Sequence, residues 1–284
     1  MILLEKHSNY YNDLPTLYLI PTPIGNMEDM TFRALDTLKK VDVLFAEDTR
    51  VTMKIINYYH LQIPMRSYHE HNKITQTGVI LGLLNEGKSI GLVSDAGMPL
   101  LSDPGFEIAQ EAINAGFNVV SLPGANAALT GLAMSGIQPY PFTFYGFLNA
   151  KSTKRQKELE LLKTRPDTLI FYEAPHRIKD TLYDLYKIFG DRKACIAREI
   201  TKKFEEMIRG TLSELKDLEA MPGEMVIIVS GYTPEMIVQT EESVVSRVNS
   251  LMSEGLSKNE AFKKVANERG IPKSVIYKEY HENQ

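Results

Sequence analysis

Short apolar runs alternate with amphipathic stretches through the first half of the chain, and each run breaks into a loop of polar, glycine or proline residues. The runs at residues 17–20, 41–46, 65–68, 89–93 and 118–122 have strand length, whereas residues 30–40, 51–59, 74–86 and 127–135 carry apolar positions at helical spacing. The clearest run is residues 89–93, where Ile90, Leu92 and Val93 follow Gly87 and give way to a loop from Ser94 to Gly105 with two Asp, two Gly and two Pro. Asp103 is expected to cap the next helix with Pro104 in its first turn and Phe106, Ile108, Ala109 and Ile113 behind it. Such βα alternation predicts an α/β fold with a parallel sheet. Right-handed crossovers then bring the loops after Ile20, Ala46, Val93 and Leu122 to one sheet edge, where ligands of open α/β sheets bind. Any α/β domain has such loops, so their existence alone does not assign a ligand.

Residues 136–141 carry two prolines and a glycine with little apolar periodicity, which places a domain boundary there. A second series follows, with strands near 143–147, 168–172, 194–198, 206–210 and 225–230 and helices at 153–163 and 178–189. Its later strands are closely spaced, which predicts a mixed sheet around the buried run Met225-Val226-Ile227-Ile228-Val229. Beyond Thr233 the pattern changes to short helices at 244–252, 258–268 and 273–280, broken by Gly255 and by Gly270 with Pro272. Their spacing suits a helix-turn-helix, for nucleic-acid binding or as a helical cap. The organisation expected is a loose extension at 1–14, α/β domains at 15–138 and 139–232, and a helical tail at 233–284.

A chain of 284 residues with 43% hydrophobic content can fill two cores. The single cysteine, Cys195, excludes an internal disulfide framework and any multi-cysteine metal site, and with no signal region or membrane-length apolar run a cytoplasmic protein is expected. The net charge of -4 argues against a wholesale nucleic-acid coat but permits a local basic face. Neither G-x-G-x-x-G nor a P-loop occurs, so a different ligand is called for.

Asp95 can accept from ligand hydroxyl or ammonium groups and Gly97 can bring backbone close, although an ordinary strand-to-helix turn uses the same residues. His69-Glu70-His71 sets two imidazoles two residues apart, but no further ligand cluster lies nearby, so polar lining with Asn72 is expected and a metal is not. Glu173-Ala174-Pro175-His176-Arg177 either gathers chemistry at a strand end or is a helix start with Glu173 paired to Arg177. Lys151, Lys154, Arg155, Lys157, Lys163 and Arg165 form one basic cluster, and Arg198, Lys202, Lys203 and Arg209 another. Each suits phosphate, or equally a solvated face with Lys154 paired to Glu158 and Lys157 to Glu160.

Taken together, Thr22-Pro23-Ile24-Gly25-Asn26, Glu47-Asp48-Thr49-Arg50, Tyr68-His69-Glu70-His71-Asn72, Ser94-Asp95-Ala96-Gly97 with Ser102-Asp103-Pro104-Gly105, and Tyr172-Glu173-Ala174-Pro175-His176-Arg177 resemble the tetrapyrrole-methylase-like class of methyltransferases. Arg198-Glu199-Ile200-Thr201-Lys202 and Gly223-Glu224-Met225-Val226 fit as well, and the resemblance spans about residues 17–231. Within the class the chain is most similar to bacterial members that methylate a cytidine 2′-hydroxyl of 16S ribosomal RNA. The resemblance implies two α/β domains with S-adenosylmethionine in the cleft between them, the small ribosomal subunit as partner, a homodimer and no membrane.

Carried over by position, the resemblance assigns the cofactor to Pro23, Ile24 and Gly25, to Asp95, Gly97 and Met98, and to Pro123, Gly124, Ala125, Asn126 and Ala127, closed by Tyr172, Glu173 and Met225. Met98 stands where threonine is commoner and Ala125-Asn126 where proline-serine is commoner. The implied chemistry is in-line attack of a ribose oxygen on a sulfonium methyl group, with Asp48, His69 and Glu173 as candidate catalytic bases. Arg50, Asn72, His176, Arg177 and Lys202 are the substrate-binding candidates. Two rival readings keep much of this pattern: C-methylation of a tetrapyrrole, and a ligand-sensing nucleic-acid-binding protein.

Overall fold

The computed structural model describes residues 14–219, 221–233, 243–269 and 271–282, so the expected N-terminal extension, up to residue 13, and Gly270 lie outside the described residues. The first series forms β1 (Thr16–Leu19), α1 (Phe32–Leu38), β2 (Val43–Ala46), α2 (Thr49–Tyr58), β3 (Met65–Ser67), α3 (Lys73–Asn85), β4 (Ile90–Val93), α4 (Phe106–Asn114), β5 (Asn118–Ser121) and α5 (Ala127–Ser135). Every pair in this sheet is parallel and the order is β3-β2-β4-β1-β5. The apolar runs of β2 and β4 are buried at every position because helices cover both faces. One layer packs Phe45, Ile80, Leu84, Ile90 and Ile108, and the opposite layer packs Ile20, Leu38, Leu44, Ile56 and Val93.

The β4–α4 loop departs from the expected turn. The N-cap of α4 is Gly105 at φ +136°, and Leu100 and Ser102 also have positive φ, so the chain winds through seven residues past Met98 before the helix begins. A Cβ on Gly105 would lie 2.9 Å from Leu100 Cδ1 and 3.0 Å from Leu92 Cδ2, so both the dihedral and the packing call for glycine there. Asp103 is thereby released from capping.

The second series forms β6 (Phe142–Phe147), α6 (Ser152–Leu162), β7 (Thr168–Glu173), α7 (Ile178–Phe189), β8 (Lys193–Arg198), β9 (Glu206–Thr211), α8 (Leu212–Leu215) and β10 (Met225–Val229). Its sheet has the order β6-β7-β10-β8-β9 and is mixed, since β6 runs parallel to β7 while the other pairs are antiparallel. Helix α5 explains how the two sheets share one body. Its Ala128 and Leu132 pack against Ile170, Cys195, Ala197 and Ile228 of the second sheet, and Gly131 comes close enough that a Cβ would sit 3.4 Å from Ala197 Cβ. Small residues on α5 permit that approach. Residues 14–163 and 167–230 accordingly lie in one compact unit.

The basic cluster of α6 is not one continuous solvated face. Arg155 is buried at 2% exposure, its guanidinium Nε and Nη2 lying 2.8 and 2.7 Å from Asp184 of α7. Glu158 accepts from the Asn149 backbone N–H instead of pairing with Lys154, and Glu160 lies 3.8 Å from Lys163 instead of pairing with Lys157. Lys151, Lys154 and Lys157 remain exposed.

The second unit comprises Thr164–Pro166 and the described residues from Gly231 onward, with α9 (Val244–Ser253), α10 (Lys258–Arg269) and α11 (Lys273–Glu282). These helices close on their own small core of Val248, Leu251, Phe262, Val265, Ile276 and Tyr280. Among the described residues no helix is long and apolar enough to cross a membrane.

Candidate active site

The loops after β1, β2 and β4 meet at the carboxyl edge of the first sheet. Thr22 and Gly97 exchange both backbone hydrogen bonds, at 2.9 and 3.0 Å, which stitches the β1 loop to the β4 loop. Gly97 adopts φ +81° to do so, and its N–H and C=O are therefore committed to Thr22. The Asp48 N–H donates to Asp95 Oδ1 at 2.9 Å, tying in the β2 loop.

A cavity of about 380 Å³ opens beside this junction, within the size range of small-ligand sites. Ile24, Met98, Leu101, Phe147, Tyr172 and Met225 give it apolar walls, while Glu47, Asp95, Asp103, Glu173 and Glu224 supply carboxylates. No lysine, arginine or histidine is among its lining residues. Burial and the neighbouring Asp95 raise the Glu47 carboxyl. Burial, then Glu47, push Asp103 up to about 7, although the Ser94 hydroxyl opposes the shift. Like charges crowded in a half-buried wall resist ionising together. Among the described residues no group of His, Cys, Asp or Glu is arranged to hold a metal ion.

Of the residues assigned to a cofactor, Ile24, Asp95, Gly97, Met98, Asn126, Ala127, Tyr172, Glu173 and Met225 line the cavity. The other five do not. Pro23 is buried and Pro123 exposed, Gly25 is packed on the Lys202 stem, and Gly124 and Ala125 face a neighbouring hollow of about 310 Å³. Asn126 spends its side-chain oxygen capping α5 through the Leu129 N–H, at 2.9 Å. The Tyr172 ring sits between Phe144 and Phe147, with centroids 4.9 and 5.5 Å away.

The expected bases and cations are mostly committed elsewhere. Asp48 caps α2 and is gripped by the Arg50 guanidinium, with Nη2 at 2.6 Å, which pulls its carboxyl down to about 2 and leaves it a weak base. Arg50 is in turn held by Asp48, though it remains 89% exposed. Glu173 touches the cavity, but its fully buried carboxylate accepts from Ala174 N–H at 2.8 Å and Thr181 hydroxyl at 2.5 Å, with Arg177 Nε 3.0 Å away. That network builds the β7–α7 corner and leaves no lone carboxylate to take a proton. Arg177 also donates to the Leu148 carbonyl at 2.6 Å, so it braces two loops instead of awaiting phosphate. Lys202 lies 2.9 Å from both Glu199 and Glu224 and is likewise paired. Asn72 accepts from the His69 N–H at 2.8 Å and donates to Ser67, holding the turn after β3. His69 Nδ1 is buried without a hydrogen-bond partner and the ring lies near Glu47, while His176 is exposed.

Sequence reasoning missed Asp103 as a cavity acid. The signal was present in Pro104-Gly105, because a glycine directly before Phe106 offers an N-cap of its own and frees the aspartate two residues earlier.

Residues 16–216 match the family model described as Tetrapyrrole (Corrin/Porphyrin) Methylases. The chain is 48% identical over the full length of both proteins to one from Bacillus subtilis (strain 168) named Ribosomal RNA small subunit methyltransferase I. It is 46% identical to the protein of the same name from Halalkalibacterium halodurans, covering 95% of this chain and 96% of that one. Among solved structures, uroporphyrin-III-C-methyltransferase from Thermus thermophilus superposes with a TM-score of 0.56 at 19% identity, over 76% of this chain and 94% of that one, a likeness of fold. The motif order, the paired sheets and this similarity along the chain agree with the resemblance read from the residues: the chain belongs to the tetrapyrrole methylase family.

Proposed function

We propose that the protein transfers a methyl group from S-adenosylmethionine to RNA of the small ribosomal subunit, at the 2′-hydroxyl of a cytidine ribose. The observation that carries this reading is the full-length match to proteins named as ribosomal RNA small subunit methyltransferases. The cavity's chemistry supports it. Glu47, Asp95 and Asp103, which have no ion-pair partner among the described residues, suit a ligand that brings positive charge, and apolar walls suit its uncharged body. Asp95 and Met98, Ala127 on α5, and Tyr172 and Met225 from the second sheet would hold it. Bound there, S-adenosylmethionine supplies a sulfonium methyl group open to attack by an oxygen nucleophile.

The protein's own part is orientation and proton removal. Asp103 is the base assigned here: it lines the cavity, and with a pKa of about 7 it is half deprotonated near neutral pH, where a general base works best. Asp103 would take the proton of the attacking ribose hydroxyl, while S-adenosylmethionine held by the residues above would supply the methyl group for the oxygen. The test is labelled methyl transfer to small subunits purified from cells lacking the protein, with wild type beside Asp95→Ala. Label in a cytidine ribose with wild type and its loss in the variant are expected. No label in RNA would overturn the reading.

Glu173→Gln separates a structural carboxylate from a catalytic one. The amide keeps an acceptor but loses the charge facing Arg177, so a stability loss of about 1–3 kcal/mol is expected, with kcat within about tenfold of wild type. A fall of kcat by a thousandfold or more in a folded variant, judged by unchanged near-UV circular dichroism, would return Glu173 to the role of base.

A further inference from the structure

The cavity is acidic, so the phosphates of an RNA substrate have to be met outside it. The prominent cations around the first sheet's loops are already paired: Arg50 with Asp48, and Lys202 with Glu199 and Glu224. The carboxyl ends of β6 and β7 differ. The two strands are parallel and Phe147 is in register with Tyr172, so both loops leave the sheet on the same edge, where both residues line the cavity. Phe147 is nevertheless 53% exposed, an aromatic ring half inside the cavity wall and half in solvent. Four residues on, Lys151 stands just before α6 and Lys154 lies in its first turn, both exposed and without an ion-pair partner among the described residues.

This edge is also braced by hydrogen bonds. Arg177 reaches from the β7 loop to the Leu148 carbonyl, at 2.6 Å, and buried Arg155 donates to the Asn149 and Ala150 carbonyls, at 3.3 and 3.2 Å. The segment between Phe147 and Lys151 is thus held by side chains on both sides. An exposed ring next to unpaired cations matches what single-stranded nucleic acid requires: a stacking surface and backbone countercharges.

Resting on the RNA reading above, we infer that the β6–α6 edge is the surface on which the RNA strand lies, Phe147 stacking on a base at the cavity mouth and Lys151 and Lys154 meeting adjacent phosphates. Sequence-specific RNA recognition mostly targets unstacked nucleotides, and a half-exposed ring at the entrance is placed to hold such a base or its neighbour.

The test uses the full chain, small subunits from cells lacking the protein, and S-adenosylmethionine binding measured separately by calorimetry. Lys151→Ala with Lys154→Ala is expected to raise KM for subunits about tenfold at physiological salt while leaving kcat and S-adenosylmethionine affinity within twofold. The slope of log affinity against log salt should become shallower by about 1.4, roughly 0.7 for each single-strand phosphate contact removed. Phe147→Ala should lower kcat/KM for subunits about ten- to hundredfold, with Phe147→Tyr restoring most of it. Lysine variants with wild-type KM and salt slope, or a KM change that merely follows lost S-adenosylmethionine affinity, would overturn the surface while the methylation reading stands. A wild type that binds S-adenosylmethionine yet neither binds nor methylates subunits would overturn both.

Discussion

Asp103→Asn is expected to lower methyl transfer about 10²–10⁴-fold while making the protein more stable above neutral pH. The wild-type carboxyl is raised first by burial and then by Glu47 and Asp95, to about 7. A base works deprotonated, so wild-type kcat/KM should climb with pH up to about 7 and then level. The asparagine variant should show a low, flat profile. Stability moves the other way. Below the ordinary carboxyl value of 3.8 the group is protonated in both folded and unfolded chains and costs nothing. Between there and about 7 the unfolded chain releases its proton more readily, so rising pH favours unfolding, and above about 7 the cost is complete. Asparagine carries no charge to bury and should gain about 1–2 kcal/mol at pH 8 after allowance for solvent screening at this half-open site. Melting temperatures and initial rates from pH 5 to 9 for both proteins test the pair of claims. An unchanged pH profile in the variant would remove Asp103 as the base, and a variant less stable at pH 8 would mean its carboxylate is held by favourable contacts.

How far the chain could be read without coordinates depended on whether an interaction was local. Apolar period and loop residues located the strands at 43–46, 90–93 and 225–229 within one or two residues, and α5 at 127–135, because burial of one face is written directly into the order of side chains. The pairing of Glu173 with Arg177, four residues apart, was visible as an alternative for the same reason. Lys202 was not legible. One partner, Glu199, is three residues away, but the other, Glu224, stands just before β10 and meets it only through the second sheet's pairing, so an apparent phosphate ligand is already neutralised. Asp103 was misread in the opposite direction. A proline after an aspartate suggests a helix start, but Gly105 at φ +136° takes that place and turns the carboxyl toward the cavity. The sequence shows which charges exist, whereas the fold decides which are spent.

The sharpest case is Asp184→Ala, for which a loss of about 3–5 kcal/mol is expected. Asp184 is 3% exposed and serves several donors: Ser152 hydroxyl at 2.9 Å, Arg155 Nε at 2.8 Å and Gln156 Nε2 at 2.7 Å. Removing it strands a guanidinium that is 2% exposed, and the Asn149 and Ala150 carbonyls cannot neutralise its charge. The pair itself need not be a net source of stability, because taking both charges out of water costs about as much as their attraction returns. Asp184→Leu combined with Arg155→Met should therefore recover most of the loss, as measured by urea denaturation midpoints. Function should not recover with it. The double variant no longer ties down the carbonyls between Phe147 and Lys151, so KM for small subunits should stay several-fold high while S-adenosylmethionine affinity returns to the wild-type value. Stability restored together with a wild-type KM would show that Arg155 serves packing alone, and a single variant within about 1 kcal/mol of wild type would mean that solvent reaches the pair.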